Sequence, residues 1–172
     1  LGQAAALKMP ALAVTAHGNM FSAVVFHDAA RKRGINPILG CEVYVAPGDR
    51  RDKSGTPGET ANHLVLLAEN AVGFSNLIKL VSSGYTEGFY YKPRIDRELL
   101  ARHAEGLVGL SACLGGEIPK ALEVDDWESA RRLAGEAKQL DLIVIDYLQL
   151  MQGESQTGRE NRVQEIGYIA RT

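Results

Sequence analysis

Short apolar runs rich in β-branched residues alternate along this chain with longer amphipathic segments, a pattern that points to β/α units around a mainly parallel sheet. The expected strands are Ala11 to Thr15, Pro37 to Ala46, His63 to Ala68, Gly106 to Ser111 and Leu142 to Tyr147. Between them, Asn19 is placed to cap a helix carrying Phe21, Val24, Val25, Ala29 and Ala30 on one side, with Gly34 as its stop. A second helix, around Ser75 to Ser83, has Leu77, Ile78, Leu80 and Val81 as its apolar stripe. Further helices are expected at Glu98 to His103, Glu117 to Leu122, Asp126 to Gln139 and Arg159 to Thr172. Pro47 to Ala61, crowded with Gly, Pro, Asp, Arg and Ser, reads as a solvated loop. Gly2 to Met9 reads as the middle of a helix, so the natural start is expected upstream of Leu1.

With 172 residues, 45% of them hydrophobic and 23% charged, the chain can bury one sizeable core. Its formal charge of −2 supplies no basic field of the kind that drives nonspecific nucleic-acid binding, so this chain alone is not expected to bind DNA except by local contacts. Two cysteines, Cys41 and Cys113, cannot staple a small secreted domain, and there is no signal peptide or apolar run of about 18 residues. A reduced, cytoplasmic setting without membrane contact is the expectation.

Four residues able to bind a transition metal lie at or beside the strands: His17, Glu42, His63 and Cys113. Where strand ends converge on one face, residues far apart in sequence can meet, and a mixed His, carboxylate and thiolate set suits zinc or manganese. Spacing alone leaves an equal alternative, with the His and Cys side chains packed in a core and Glu42 paired to an arginine. Cys41 alternates to the strand face opposite Glu42 and reads as core. His27 and His103 fall on helices without a ligand partner nearby and read as surface residues.

The strings around these residues carry more information. V-T-A-H-G-N-M (Val14 to Met20), P-I-L-G-C-E-V-Y-V-A-P-G (Pro37 to Gly48), H-L-V-L-L-A (His63 to Ala68), Y-T-E-G-F-Y-Y-K-P-R-I-D (Tyr85 to Asp96) and L-S-A-C-L-G-G-E-I-P (Leu110 to Pro119) occur in order. Over residues 4 to 139 the chain resembles the PHP domain of the bacterial replicative DNA polymerase III alpha subunit. That resemblance implies a distorted (β/α)7 barrel, incomplete here, with a metal cluster at the strand ends, and a metal-dependent phosphoesterase or 3′–5′ exonuclease type of activity. It implies His17, Glu42, His63 and Cys113 as metal ligands and the DNA replication machinery as partner. The family's opening H-x-H strand and its later D-x-H motif have no counterpart in this chain. Ala16 also stands where the family usually has an aspartate that would orient a metal-bound histidine. The implied site is therefore partial, and the implied activity weak or absent.

Lys92 and Arg94, flanked by Tyr90 and Tyr91, offer charge and stacking surface for a phosphate or nucleotide. The reading preferred from the residues is a turn held by aromatic packing, with Pro93 fixing the backbone and Arg94 paired to Asp96.

L-I-V-I-D, Leu142 to Asp146, has the form of a Walker B strand whose acid organises a magnesium ion. Together with the continuation to Met151 and with G-R-E-N-R-V-Q-E-I-G-Y-I-A-R (Gly158 to Arg171), it resembles the hexameric bacterial replicative helicase of the DnaB type over residues 140 to 172. By that resemblance Asp146 is the Walker B acid. No G-x-x-x-x-G-K-[ST] loop accompanies it, so Mg-ATP binding is not expected. The expected organisation is thus a PHP-like partial barrel over 1–139 and a helicase-like strand and helix over 140–172, the strand standing in for a missing barrel strand. The alternatives are a helicase fragment without its P-loop, or a non-catalytic scaffold or recombined product.

Overall fold

In a computed structural model, residues 1–56 and 61–135 are described in full, and residues 136 and 142–144 as backbone. After a short helix α1 (Gly2–Ala6), strand β1 (Ala11–His17) leads through helix α2 (Ala23–Arg31) to β2 (Asn36–Val45), which lies parallel to it. β3 (Asn62–Ala68) follows, then α3 (Ala71–Thr86), the two-residue β4 (Arg94–Ile95), α4 (Arg97–Arg102) and β5 (Leu107–Leu110). Helices α5 (Glu117–Glu123) and α6 (Trp127–Glu136) precede β6 (Leu142–Val144). The sheet runs β1-β2-β3-β5-β6, with β4 beside the end of β2.

The fold is mixed α/β, and β3 departs from the parallel expectation by running antiparallel to both β2 and β5. The connection from β2 to β3 crosses Pro47 to Ala61, which is too poor in apolar periodicity to make the crossover helix that a parallel return requires. β6 pairs parallel with β5, Val108 opposite Leu142 and Leu110 opposite Val144.

The two faces of β2 separate packing from chemistry. Cys41, Val43 and Val45 point to one face and join Leu66, Leu77, Leu80, Ile95, Leu99 and Leu107 in the main core. Each such aliphatic side chain contributes roughly 1.5–3 kcal/mol by leaving water. Asn70 and Asp96 start the helices that cover this core: their side chains accept from the backbone N–H of Gly73 and Leu99 at 3.0 and 2.9 Å. Gly73 is needed where α3 meets the turn before β5, since a Cβ there would lie 1.8 Å from the Gly106 carbonyl oxygen.

Two helix expectations need correction. Ser22, not Asn19, occupies the N-cap of α2; Asn19 instead ties the preceding turn, donating to His17 O at 2.9 Å and accepting from Phe21 N at 3.1 Å. Phe21, Val24 and Val25 are 82%, 71% and 74% exposed, whereas Ala23 and Ala30 are buried. Apolar residues surround much of this helix, so its stripe had no unique direction; the small alanine face is the one that packs, with Ala30 against Ala4 and Ile35. In α3, Leu77 and Leu80 are fully buried but Ile78 lies on the exposed flank. The expected strand and helix from Leu142 to Tyr147 and Arg159 to Thr172 lie outside the described residues beyond Val144, as does Asp146.

Buried charge anchors the loop after β2. The Arg50 guanidinium donates to Asp96 at 2.8 Å and to Glu87 at 3.0 Å. Arg94 is also buried, and its guanidinium donates to the carbonyls of Gly88, Arg50 and Asp52 at 3.1, 3.0 and 2.6 Å. Asp96 thus takes Arg50, rather than Arg94 as the sequence reading had it, and Arg94 is turned inward, away from any incoming phosphate.

Burial alone would raise the Asp96 pKa, but the Leu99 and Arg50 backbone N–H groups and the Arg50 guanidinium outweigh it and hold the carboxyl below its ordinary value. A depressed folded-state value adds stability that is fully present above the unfolded-state value, near pH 4, and is lost as pH falls through the folded one. We therefore expect wild-type stability, followed by urea unfolding, to drop below about pH 4. Asp96→Asn should be less stable at neutral pH and show a shallower acid loss; an acid slope unchanged from wild type would count against this assignment.

Candidate metal centre

On the other face of β2, the strand register collects the candidate ligands. His17 at the end of β1 lies directly opposite Glu42 across a parallel pairing, and across the antiparallel one His63 lies opposite Tyr44. Because alternate residues share a face, Glu42, Tyr44, His17 and His63 project to one side. Glu42 then sits between the two imidazoles, with Oε2 3.3 Å from His17 Nε2 and Oε1 2.6 Å from His63 Nδ1. Tyr44 meets the His63 ring edge-on, centroids 5.1 Å apart, and limits how that ring can turn.

The fourth residue arrives on the turn between β5 and α5. Cys113 Sγ is 3.5 Å from His63 Nδ1 and accepts from Gly115 N at 3.4 Å. The turn is docked on β3 by a hydrogen bond from His63 N to Gly115 O at 2.9 Å. Gly115 permits that approach, since a Cβ would stand 3.2 Å from the imidazole. Just before Cys113, Ala112 has φ of 61°, a left-handed conformation that a non-glycine residue adopts only when its surroundings impose it. The strain sits at the residue that aims the thiol.

Glu42, His63 and Cys113 each offer a donor atom within 4.8 Å of the others and form a group that could hold a metal ion. Among the described residues the buried Glu42 Oε1 has no hydrogen-bond partner; its near neighbour is His63 Nδ1, at ion-pair distance. An enclosed carboxylate oxygen left this way is costly unless something else neutralises it. Bond lengths of about 2.0–2.3 Å to N, O and S put adjacent tetrahedral ligand atoms roughly 3.3–3.7 Å apart. The Cys113 to His63 spacing fits; Glu42 and His63 would have to part slightly. His17, with its side chain 66% exposed, closes the rim of the same cluster.

All four sequence-expected ligands are therefore neighbours, joined through Glu42 and His63. Cys41 is buried on the core face, and burial pushes its thiol up to about 11, which makes it an inert packing residue. His27 is exposed beside Asp28, and His103 is half-buried. Sequence reasoning did not find Tyr44 as the wall of the site, although its alternation with Glu42 on one strand face was the available signal. Lys92 is exposed, with its ammonium 4.3 Å above the Tyr44 ring.

A mixed sheet whose strand-borne His, Glu and Cys side chains meet on one face defines the chain as an α/β domain with a candidate metal centre. The PHP domain family matches residues 1–143, and the chain belongs to that family. Residues 118–172 also match the DnaB-like helicase C terminal domain, so the two matches overlap. Among relatives, the DNA polymerase III subunit alpha of Chlamydia trachomatis is 50% identical over 122 residues, which is 70% of this chain and 10% of the relative. Those of Treponema pallidum and Thermus aquaticus are 52% and 51% identical over 120 and 118 residues, covering 69% and 67% of this chain and 10% of each relative. The chain thus spans about a tenth of the length of these relatives.

Proposed function

We propose that this chain is a replication-derived PHP domain fragment whose centre binds one zinc or manganese ion and, through it, a phosphoester. The carrying observation is Glu42, held between His17 and His63 with one buried oxygen that has no hydrogen bond among the described residues, and Cys113 close to His63. When bound, the ion supplies Lewis acidity toward a phosphoryl oxygen. Glu42 and the Cys113 thiolate offset its charge, His63 is braced by Tyr44, and His17 guards the solvent side. Ala16 brings no carboxylate to orient His17, and the set of donors is sized for one ion rather than the two-metal clamp of efficient phosphoesterases. Hydrolysis by this chain alone is accordingly slow or absent, and any place beside the polymerase comes from its kinship with the alpha subunits.

Elemental analysis after purification in zinc- and manganese-containing buffer tests the centre. Close to one ion per chain is expected for the wild type, with loss in His63→Ala while the far-ultraviolet circular dichroism is kept. Metal retained in His63→Ala, or absent from folded wild type, would remove the basis for a phosphoester site.

The pairing of β6 with β5 favours a second reading, that the helicase-like stretch extends the PHP sheet rather than forming a nucleotide-binding unit. Without a phosphate-cradling loop, Asp146 has no nucleotide to serve. Hydrogen exchange should find the amides of Leu142 to Val144 protected alongside β5. Exchange there as fast as in an unstructured peptide would sink the sheet-extension reading.

A further inference from the structure

We infer that Lys92 is the anion-holding residue of the metal centre, the group that receives the free oxygens of a phosphate whose other oxygen faces the metal. The inference rests on the phosphoester-binding reading above and adds to it the residue that recognises the ligand's charge.

Four observations converge on Lys92. Its ammonium stands 4.3 Å above the ring of Tyr44, and Tyr44 packs edge-on against His63, so the cation is one aromatic ring away from a metal ligand. The turn bearing it closes on the site: a Cβ on Gly18, the residue after His17, would meet Pro93 and Tyr44, each at 3.0 Å. Its position is set by the backbone, since Tyr90 N donates to Lys92 O at 3.0 Å and Tyr91 between them has φ of 58°. Finally, Lys92 is exposed and pairs with no carboxylate among the described residues, whereas Arg50, Arg51 and Arg97 are each engaged by acids and Arg94 by backbone carbonyls. Lys120 is engaged by Asn62 Oδ1 at 2.7 Å.

Charge balance gives the ammonium its purpose. A carboxylate and a thiolate already cancel a divalent ion, so the centre alone offers an arriving phosphate little net attraction. A positively charged side chain on a flexible stem at the rim supplies it, as a point charge able to follow the oxygens. The Tyr44 face holds that charge in place by a cation–π contact until an anion arrives.

The test uses the full chain and inorganic phosphate as the probe, titrated calorimetrically with metal-loaded and with chelator-treated protein. Lys92→Met keeps the aliphatic stem over Tyr44 and removes the charge; it should weaken phosphate binding about tenfold, while Lys92→Arg restores most of it and Lys120→Met leaves it unchanged. Melting temperature and metal content should be the same in Lys92→Met as in wild type, which separates loss of the charge from loss of the fold. Phosphate affinity equal in Lys92→Met and wild type overturns the inference, as does a wild type that binds no phosphate. Binding that depends on Lys92 but is indifferent to metal would keep Lys92 as an anion contact and overturn both its assignment to the metal centre and the reading that the phosphoester binds through the ion.

Discussion

The Glu42 carboxylate, shared between His17 and His63, is the interaction around which the functional end of this domain is organised. It exists because β2 has a parallel neighbour on one side and an antiparallel neighbour on the other. Parallel register places the end of β1 opposite Glu42, and antiparallel register brings the start of β3 to the same level. A one-residue slip in either pairing would move a histidine to the core face. The alternation that aims Glu42 at the site also sends Cys41 and Val43 into the core, so packing against α3 and α4 holds the register that brings the candidate ligands together.

That dependence extends outward through strain and buried charge. Ala112 has a left-handed conformation where Cys113 meets His63, and Arg50 and Arg94 use buried guanidinium groups to fasten the loop after β2 and the turn that leads into β4. These are expensive arrangements. A buried guanidinium needs its acids and carbonyls complete, and loss of one partner leaves a charge with no water to receive it.

Much of this was legible in the residues. Strand positions followed from β-branched runs, and the four candidate ligands from the strings around them. What the residues did not carry was direction in space. Nothing in His63 to Ala68 marks the strand as antiparallel; that follows from a connection lacking a crossover helix. The α2 helix has apolar residues around much of its circumference, so the small face of Ala23 and Ala30 could not be told from the larger face of Phe21, Val24 and Val25 until the sheet was in place. Arg94 and Asp96, two positions apart, looked like a local pair, yet a distant loop supplied Arg50 to one and carbonyls to the other. Local spacing cannot foresee a partner that arrives from 46 residues away.

His17, Glu42, His63 and Cys113 are proposed to form one metal-binding unit. X-ray absorption at the zinc edge of the zinc-loaded chain reads its donor set directly. A single sulfur at about 2.3 Å is expected together with nitrogen or oxygen scatterers at about 2.0–2.1 Å, the sulfur disappearing in Cys113→Ser. A shell of oxygen or nitrogen alone in the wild type, or a sulfur that survives Cys113→Ser, would contradict it.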